Sequence, residues 1–482
     1  MDDLMENIVT APPQFNSCFL GPKQSSNGDR EHHELDGKRP WEQFALASRD
    51  GLAHLPDIEK VLGTHTFGPP NDVRYLVKFK AQSYRHCEWV PEDLFVLQSK
   101  RGMLTRFHKN ILELEQTEDG EYFNPSYLQV DRVIGMGREN PAKDGETLYL
   151  VKWEGLQYCD STWEYAKHIQ EAHKVATYKK CNTRPSQSPP DRSWRPKASA
   201  FGKNLKDLTV RFRIRLRLRD YQVEGLRWLA LCWIRRQGCI LGDEMGLGKT
   251  VQTAALLQWL RSLHILGPFL IVVPLSTVEN WKRELETWTD LNTVIFHGNA
   301  SSIQVIRDYE WHYVKKPGTK GKDSNELKHK FHVLVTTFEM ALAYQRDLMT
   351  VPWRLVVIDE AQKMKNIDSK VFNALNLIRA DHRLLLTGTP IQNNIGELFT
   401  MLHFVDSKAF RQTKALAAEF EDLTLPGKWE ELTRMIEPYI LRRMKGNVEK
   451  SIPPKEEVII DVELTFTQKQ YYRAVLEGKR EW

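Results

Sequence analysis

The sequence predicts a multidomain protein: two small β+α units followed by one α/β lobe whose parallel sheet lies between helices. Three observations carry this expectation. An order of strand, strand, tryptophan-bearing strand and helix occurs twice, about 70 residues apart. From Leu218 onward, five apolar runs of strand length alternate with helical patterns. The first of these runs enters a glycine-rich turn, Gly242-Asp-Glu-Met-Gly-Leu-Gly-Lys-Thr250, which opens a helical pattern from Val251 to Leu263.

Composition sets the outer bounds. The chain has 482 residues, 41% hydrophobic and 27% charged, which is globular composition and enough for roughly two to four domains. The net charge of +5 permits nucleic-acid binding without requiring it. The six cysteines form no Cys-x-x-Cys pair, so reduced thiols in an intracellular protein are expected. No apolar run approaches the roughly 18 residues of a membrane span, and no membrane partner is expected. The acidic start, Met1-Asp-Asp-Leu-Met-Glu6, lacks the basic and apolar regions of a signal peptide.

In chain order, residues 1–53 are rich in Pro, Ser, Asn, Gly and charge, and read as a disordered tail. Residues 54–118 form the first unit with a linker helix. Asp57 begins one strand, Arg74-Tyr-Leu-Val-Lys-Phe-Lys80 alternates as a half-buried strand, and Cys87-Glu-Trp-Val-Pro-Glu-Asp93 precedes an amphipathic run to about residue 115. Residues 126–180 repeat the order with Val130-Asp-Arg-Val-Ile134, Leu148-Tyr-Leu-Val-Lys-Trp-Glu154, Ser161-Thr-Trp-Glu164 and a helical run. Each unit is expected to be a small curved sheet closed by a helix, with Trp89 or Trp163 plugging its core. Residues 181–209 are a proline-punctuated linker. Within Val210–Arg219, five arginines alternate with apolar residues. An extended strand would carry them on one face, as a solvated edge or as a basic stripe for phosphate.

The lobe is expected over residues 210–450. Its apolar runs are Cys239–Leu241, Phe269–Val273, His332–Val335, Arg354–Ile358 and Arg383–Leu386. Runs this apolar, with β-branched residues, suit strands buried on both faces of a parallel sheet. Each is followed at once by polar or glycine-containing residues, and ligands bind at the carboxyl ends of such strands. The glycine-rich turn suits a phosphate. Glycines admit backbone N–H groups to the phosphate oxygens, and the helix N-terminus adds a positive dipole end. Lys249 would reach the β- and γ-phosphates and the Thr250 hydroxyl would bind Mg²⁺. The strict phosphate-loop pattern asks for glycine where Asp243 stands, yet Gly246-x-Gly248-Lys249-Thr250 is kept. Asp359-Glu360 ends another apolar run. Asp359 would hold the Mg²⁺ with Thr250, and Glu360 would orient or deprotonate water. The basic insertion from Lys315 to Lys330 reads as a solvated loop.

The repeated Tyr75-Leu-Val-Lys-Phe79 with Glu88-Trp89-Val-Pro-Glu92, and Tyr149-Leu-Val-Lys-Trp153 with Ser161-Thr-Trp-Glu164, resemble paired chromodomains. Leu218-Arg-Asp-Tyr-Gln-Val-Glu-Gly-Leu226, Asp243-Glu-Met-Gly-Leu-Gly-Lys-Thr250, Pro274-Leu-Ser-Thr-Val278, Asp359-Glu-Ala-Gln362 and Leu385-Leu-Thr-Gly-Thr-Pro-Ile-Gln-Asn393 resemble the first, RecA-like helicase lobe of Snf2-type chromatin-remodelling ATPases. The combination resembles the chromodomain-helicase-DNA-binding remodellers. Phe123-Asn-Pro-Ser-Tyr127 and Pro454-Lys-Glu-Glu-Val458 are most similar to the Kismet-like branch.

The resemblance implies an ATP- and Mg²⁺-dependent DNA translocase that acts on nucleosomes in the nucleus, with histones and a larger chromatin complex as partners. It implies a nucleotide site at Asp243, Glu244, Met245, Gly246, Leu247, Gly248, Lys249 and Thr250, with Gln222 reading adenine. It implies that Ser276, Thr277, Thr336, Thr337, Thr387 and Thr389 lie along DNA or couple it to hydrolysis; strand-end capping is the alternative reading of the same residues. Chromodomains trap methyl-lysine in aromatic cages. Phe79, Tyr127 and Trp153 are the candidates, although Pro56, Gln82, Leu128 and Leu156 stand where other cage aromatics belong, and ordinary packing explains Phe79 and Trp153 equally. Gln362 departs from the branch, which has His there, and puts coupling between nucleotide and DNA in question.

Residues 451–482 resemble the connection into a second lobe that the sequence does not contain. Poor hydrolysis of bound ATP is therefore expected, and a DNA-stimulated turnover near about 1 s⁻¹ would contradict that. A non-catalytic chromatin adaptor that holds nucleotide structurally is the rival from another class; a strand-separating helicase is a weaker one.

Overall fold

In a computed structural model the described residues are 45–68, 72–110, 122–138, 145–184, 190–196, 217–313, 329–364, 366–388, 395–420, 427–448, 460 and 462–476. The alternating arginine run up to residue 216 and most of the basic insertion lie outside them. So do residues 1–44, much of the expected connection after residue 450, and Thr389.

The alternating stretches fold as the repeat predicts. The first unit comprises β1 (Ala45–Leu46), β2 (Ile58–Thr66), β3 (Val73–Phe79) and β4 (Glu88–Pro91), followed by helices at Asp93–Leu97 and Arg101–Asn110. Strands β2, β3 and β4 pair antiparallel. β1 adds to β4 in parallel, so a strand of the first unit lies inside the stretch 1–53 expected to be a tail. The second unit comprises β5 (Val130–Arg138), β6 (Thr147–Trp153) and β7 (Thr162–Tyr165), with a helix at Ala172–Asn182. The two units share a register. Ile58 opposes Phe79 as Val130 opposes Trp153, and both first strands bulge twice at matching places. A bulge adds twist, which curls each small sheet over its core.

The tryptophans divide differently than expected. Trp89 is 1% exposed and packs among Leu62, Leu76 and Tyr84, the core expected of it. Trp163 does not plug its own unit. It is half-buried, packs against the lobe's core and lies 6.4 Å from the Tyr309 ring. Strand alternation explains the correction: Trp163 and the Thr162/Glu164 pair point to opposite faces, and Thr162 and Glu164 are the buried ones.

Among the described residues the lobe holds seven parallel strands: β8 (Cys239–Leu241), β9 (Phe269–Val273), β10 (Thr293–Phe296), β11 (Val333–Thr337), β12 (Leu355–Ile358), β13 (Arg383–Leu386) and β14 (Ile440–Leu441). Their order is β10-β11-β9-β12-β13-β8-β14. Five were legible as apolar runs; β10 and β14, at the two edges, were not. Alternation sorts side chains cleanly. Leu241, Ile271, Val273, Val335, Val357 and Leu386 face the helices Asp220–Arg235, Lys249–Ser262 and Val278–Trp288. Ile240, Leu270, Val272, Phe296, Leu334 and Ile358 face the helices on the other side, including Lys370–Leu377 and Ile395–Val405. Because all seven strands are parallel, the segments that follow them gather at one edge of the sheet. No described helix is long and apolar enough to cross a membrane.

The second unit docks on the β10 edge. Arg132 pairs with Glu310 at 2.8 Å and donates to the Thr293 carbonyl at 2.5 Å and Asn292 Oδ1 at 2.9 Å. Asp131 pairs with Lys152 at 2.5 Å in its own unit and with Lys282 of the lobe at 2.7 Å. Burial would raise the Asp131 pKa, but the Lys152 and Lys282 ammoniums outweigh it and hold the carboxyl at about 2. A depressed carboxyl contributes stability that is full above its unfolded value near 4 and fades as pH falls towards 2. Replacing Asp131 with Asn is therefore expected to cost about 2 kcal/mol at pH 7 and to flatten the loss of stability between pH 4 and 2. Urea unfolding across that range measures both effects; an unchanged pH slope would contradict the assignment.

Candidate functional site

The glycine-rich turn joins β8 to the helix Lys249–Ser262, as its sequence predicts. Two glycines meet a backbone demand here: Gly246 has φ +90° and Gly248, the helix N-cap, φ +76°. A side chain on Gly248 would also strike Gln222 Nε2 at 2.6 Å. Lys249 and Thr250 open the helix, half-buried, while Met245 is 55% exposed. The Lys249 ammonium donates to the Asp243 carbonyl at 2.9 Å. Burial lowers its pKa, with Glu360, Asp359 and Asp243 pulling the other way.

Asp243 explains its own departure from the loop pattern. Its carboxylate is completely buried and is gripped by Arg443, Nε to Oδ1 at 3.0 Å and Nη2 to Oδ2 at 2.5 Å. Gln252 donates to Asp243 Oδ2 at 3.0 Å and accepts from Arg443 at 2.9 Å. Arg443 also donates to the Tyr221 carbonyl. A glycine at 243 would leave this guanidinium without its counter-charge. The segment after β14 continues along the loop: the Glu244 amide donates to the Arg443 carbonyl at 3.0 Å, and the Lys445 amide donates to Glu244 Oε2 at 2.7 Å. Asp243 and Glu244 thus brace the loop from behind.

Gln222 lies beside the loop. Its Nε2 donates to the Leu247 carbonyl at 3.3 Å, and its Oε1 accepts from the Arg219 amide at 3.0 Å. Both amide ends are engaged with backbone, so an adenine would have to replace at least one of these bonds.

Asp359 and Glu360 follow β12, and β13 alone separates β12 from β8. Asp359 Oδ2 accepts from Trp281 Nε1 at 2.8 Å and Oδ1 from the Glu360 amide at 2.9 Å. Burial raises its pKa; the Trp281 bond opposes this, and the Glu360 charge adds to it. Among the described residues Asp359 makes no ion pair. A desolvated carboxylate without a contacting cation, at the same sheet edge as the Thr250 hydroxyl at a helix start, is a donor type that suits Mg²⁺. Glu360 has φ +49°, a strained conformation for a residue with a Cβ. Its Oε2 accepts from Gln362 Nε2 at 2.5 Å, and Gln362 Oε1 accepts from Thr387 Oγ1 at 3.0 Å. Glu360, Gln362 and Thr387 therefore form a side-chain chain from the end of β12 to the end of β13.

The other hydroxyls separate. Ser276 is exposed, and Thr277 is half-buried with its hydroxyl donating to the Pro274 carbonyl at 3.0 Å. Thr336 and Thr337 are buried. Thr336 donates to the Phe296 carbonyl at 2.9 Å, and Thr337 accepts from the Met340 amide at 3.3 Å to cap a helix. Both hydroxyls are engaged within the fold, in the strand-end and capping roles that are the alternative reading of these residues. Thr389 lies outside the described residues.

The expected aromatic cages do not form. Phe79 and Trp153 are each 1% exposed and belong to separate cores. Tyr127 packs with the first unit, 5.1 Å from the Tyr84 ring. Over the Trp153 ring lies Arg85 of the first unit, 4.9 Å from the centroid. Its guanidinium is fixed by the Leu128 carbonyl at 2.7 Å and Glu171 at 2.7 Å. The cation on Trp153 is internal, so the methyl-lysine reading of these three residues gives way to packing.

Arg443, Gln252 and Trp281 were missed by sequence reasoning. One signal pointed to the first two. Gly225 interrupts a helical pattern, and a Cβ there would meet Gln252 Oε1 at 1.8 Å and Arg443 Nη2 at 2.7 Å.

Comparison with known proteins gives the chain's relatives. The SNF2-related domain matches residues 221–481, and the Chromo (chromatin organisation modifier) domain matches residues 128–180. Chromodomain-helicase-DNA-binding protein 8 of Homo sapiens is 41% identical over 475 residues, 97% of this chain and 18% of that protein. Chromodomain-helicase-DNA-binding protein 7 of Homo sapiens is 40% identical over 440 residues, 88% of this chain and 14% of that protein. Protein 6 of the same series, from Rattus norvegicus, is 40% identical and covers 87% of this chain and 16% of itself. The chain spans less than a fifth of the length of these relatives. Matched over more than half its length by one family model, the chain belongs to the SNF2-related family, and along nearly all of its length it is similar to chromodomain-helicase-DNA-binding proteins.

Proposed function

We propose that the chain is the nucleotide-binding and chromatin-docking part of an ATP-dependent remodeller, a DNA translocase that acts on nucleosomes. The observation that carries this reading is the shared carboxyl edge of the sheet. There the Glu360 and Asp359 carboxylates favour the charged form of Lys249, and Gln362 ties Glu360 to Thr387.

In this reading Gly246, Leu247, Gly248, Lys249 and Thr250 hold the phosphates, with Met245 at the rim and Gln222 behind the loop at the adenine. Lys249 gains an anionic partner for a charge that burial disfavours. Thr250 and Asp359 hold Mg²⁺, which bridges phosphate oxygens and offsets their charge. Glu360 orients water, and its strained backbone fixes the carboxylate's direction. Gln362 reports through Thr387 to the DNA side, where Ser276, Thr277 and Thr389 contact phosphates. Residues 54–118 act as a second chromodomain ahead of 126–180, supported by their matched registers. Residues 181–209 link them to the lobe at 210–450, which 451–482 follow. Nuclear location, nucleosomal DNA and histones as partners, and a larger chromatin complex follow from the family. With Trp153 covered by Arg85, histone contact runs through surfaces other than an aromatic cage.

Lys249→Ala is expected to weaken ATP binding at least tenfold, about 1.4 kcal/mol, and to abolish nucleosome-stimulated hydrolysis, measured by phosphate release. Lys249-dependent binding without stimulated turnover would mean a fragment whose motor is incomplete or an adaptor in which nucleotide is structural. Gln362→Ala removes two hydrogen bonds from the relay. ATP affinity without DNA is expected to stay within about threefold, while nucleosome-stimulated turnover falls about tenfold, the worth of one to two such bonds. Equal loss of both would place Gln362 in binding instead of coupling.

A further inference from the structure

A cluster of potential metal ligands lies away from the nucleotide edge, where the two repeated units meet. His86 ends the short turn Tyr84–His86 of the first unit. Glu164 lies on β7, and His168 ends the turn Ala166–His168 of the second. One ligand atom from each, two imidazole nitrogens and a carboxylate oxygen, all lie within 4.8 Å of one another. His86 Nε2 and Glu164 Oε2 are 2.8 Å apart.

We propose that His86, Glu164 and His168 form a divalent-cation site of zinc type that staples the first unit to the second.

The set is chemically apt. Two imidazoles and one carboxylate are a known zinc donor combination, with bonds of about 2.0–2.2 Å. Tetrahedral bonds of that length put ligand atoms about 3.4 Å apart. The present span therefore closes by an ångström or so, and exposed His168 is free of the core packing that would resist this. The fixed member is Glu164, whose side chain is 4% exposed. Its other oxygen accepts from Thr162 Oγ1 at 2.9 Å, and Thr162 in turn accepts from Trp153 Nε1 at 3.0 Å. Such outer hydrogen bonds aim a ligating carboxylate. His168 is steadied by its backbone, whose carbonyl accepts from Arg85 Nη1 at 3.2 Å, and by the Tyr165 ring at 5.7 Å. Three protein ligands leave a fourth position open to water on the exposed side.

Two readings compete. In one, the three groups are a hydrogen-bonded pair with a bystander histidine. In the other, they are ligands. His168 distinguishes them, because it makes no part of the His86–Glu164 pair and its loss costs the fold little. The test uses the full chain, stripped with chelator and titrated with Zn²⁺ alone. Zn²⁺ is expected to raise the melting midpoint by several degrees, reversibly with chelator, and substituted Co²⁺ to give the visible absorption of a tetrahedral nitrogen–oxygen site. His168→Ala is expected to remove both responses, while replacing the exposed His173 leaves them intact. An unchanged Zn²⁺ response in His168→Ala, or none in the parent chain, would overturn the proposal. None of these readouts depends on ATP.

Discussion

The buried pair between Arg443 and Asp243 holds the lobe's working edge together. It joins residues 200 positions apart, one at the end of the outermost strand β14 and one at the head of the glycine-rich turn. A carboxylate buried as completely as Asp243 is costly without a partner. The pair is therefore best regarded as a constraint that permits one arrangement. It fixes where β14 ends, aligns Gln252 on the first helix turns, satisfies the Tyr221 carbonyl, and forbids a side chain at 225. The loop's departure from the generic phosphate pattern, Asp in place of Gly, is part of the same device.

On the far side of the loop the polar groups are few and strained. Glu360 keeps a left-handed backbone, Asp359 is held by an indole and an amide in place of a cation, and burial disfavours the charge on Lys249. Each cost is one that an incoming Mg²⁺–phosphate group would relieve, because it brings both signs of charge to groups that make no ion pair among the described residues. The Gln362 bridge to Thr387 runs along the same edge. A glutamine carries both a donor and an acceptor, so it can span a carboxylate and a hydroxyl without changing protonation, which a histidine could do only in one tautomer.

Much of this was legible in the sequence. The five central strands were readable because strands buried on both faces are continuously apolar, and the repeat was readable because its two copies keep the same order of strand and tryptophan. The edge strands escaped: β14 is two residues long, and β10 carries the ordinary sequence Thr-Val-Ile-Phe. Candidate residues within and beside a glycine-rich motif can be picked out locally, whereas Arg443, Gln252 and Trp281 act through long-range contacts that no local pattern announces. The cage expectation failed for a related reason. The ring of Trp153 is in the expected place on its strand, but the cation over it comes from Arg85, 68 residues earlier and in the other unit, and only the packed fold reveals that.

Two interfaces then give the chain its order: the second unit on the β10 edge through Asp131 and Arg132, and the first unit on the second through Arg85 and its neighbours. Both combine apolar contact with charge pairs: Ile134, Leu150 and Tyr158 of the second unit join the lobe's core, and Tyr127, Leu128 and Leu156 pack against the first unit's Trp89 cluster, while the charge pairs set orientation more than they add stability. The most direct test of the account lies at the opposite edge of the sheet. Mg²⁺–ATP affinity should be measured by titration calorimetry for the parent chain and for Arg443→Ala, with the melting midpoint followed in parallel to keep the variant folded at the working temperature. If Arg443 holds the phosphate loop through Asp243, affinity falls at least tenfold, although the guanidinium is already committed to Asp243, Gln252 and Tyr221. Unchanged affinity in a folded Arg443→Ala chain would contradict the claim that this pair organises the site.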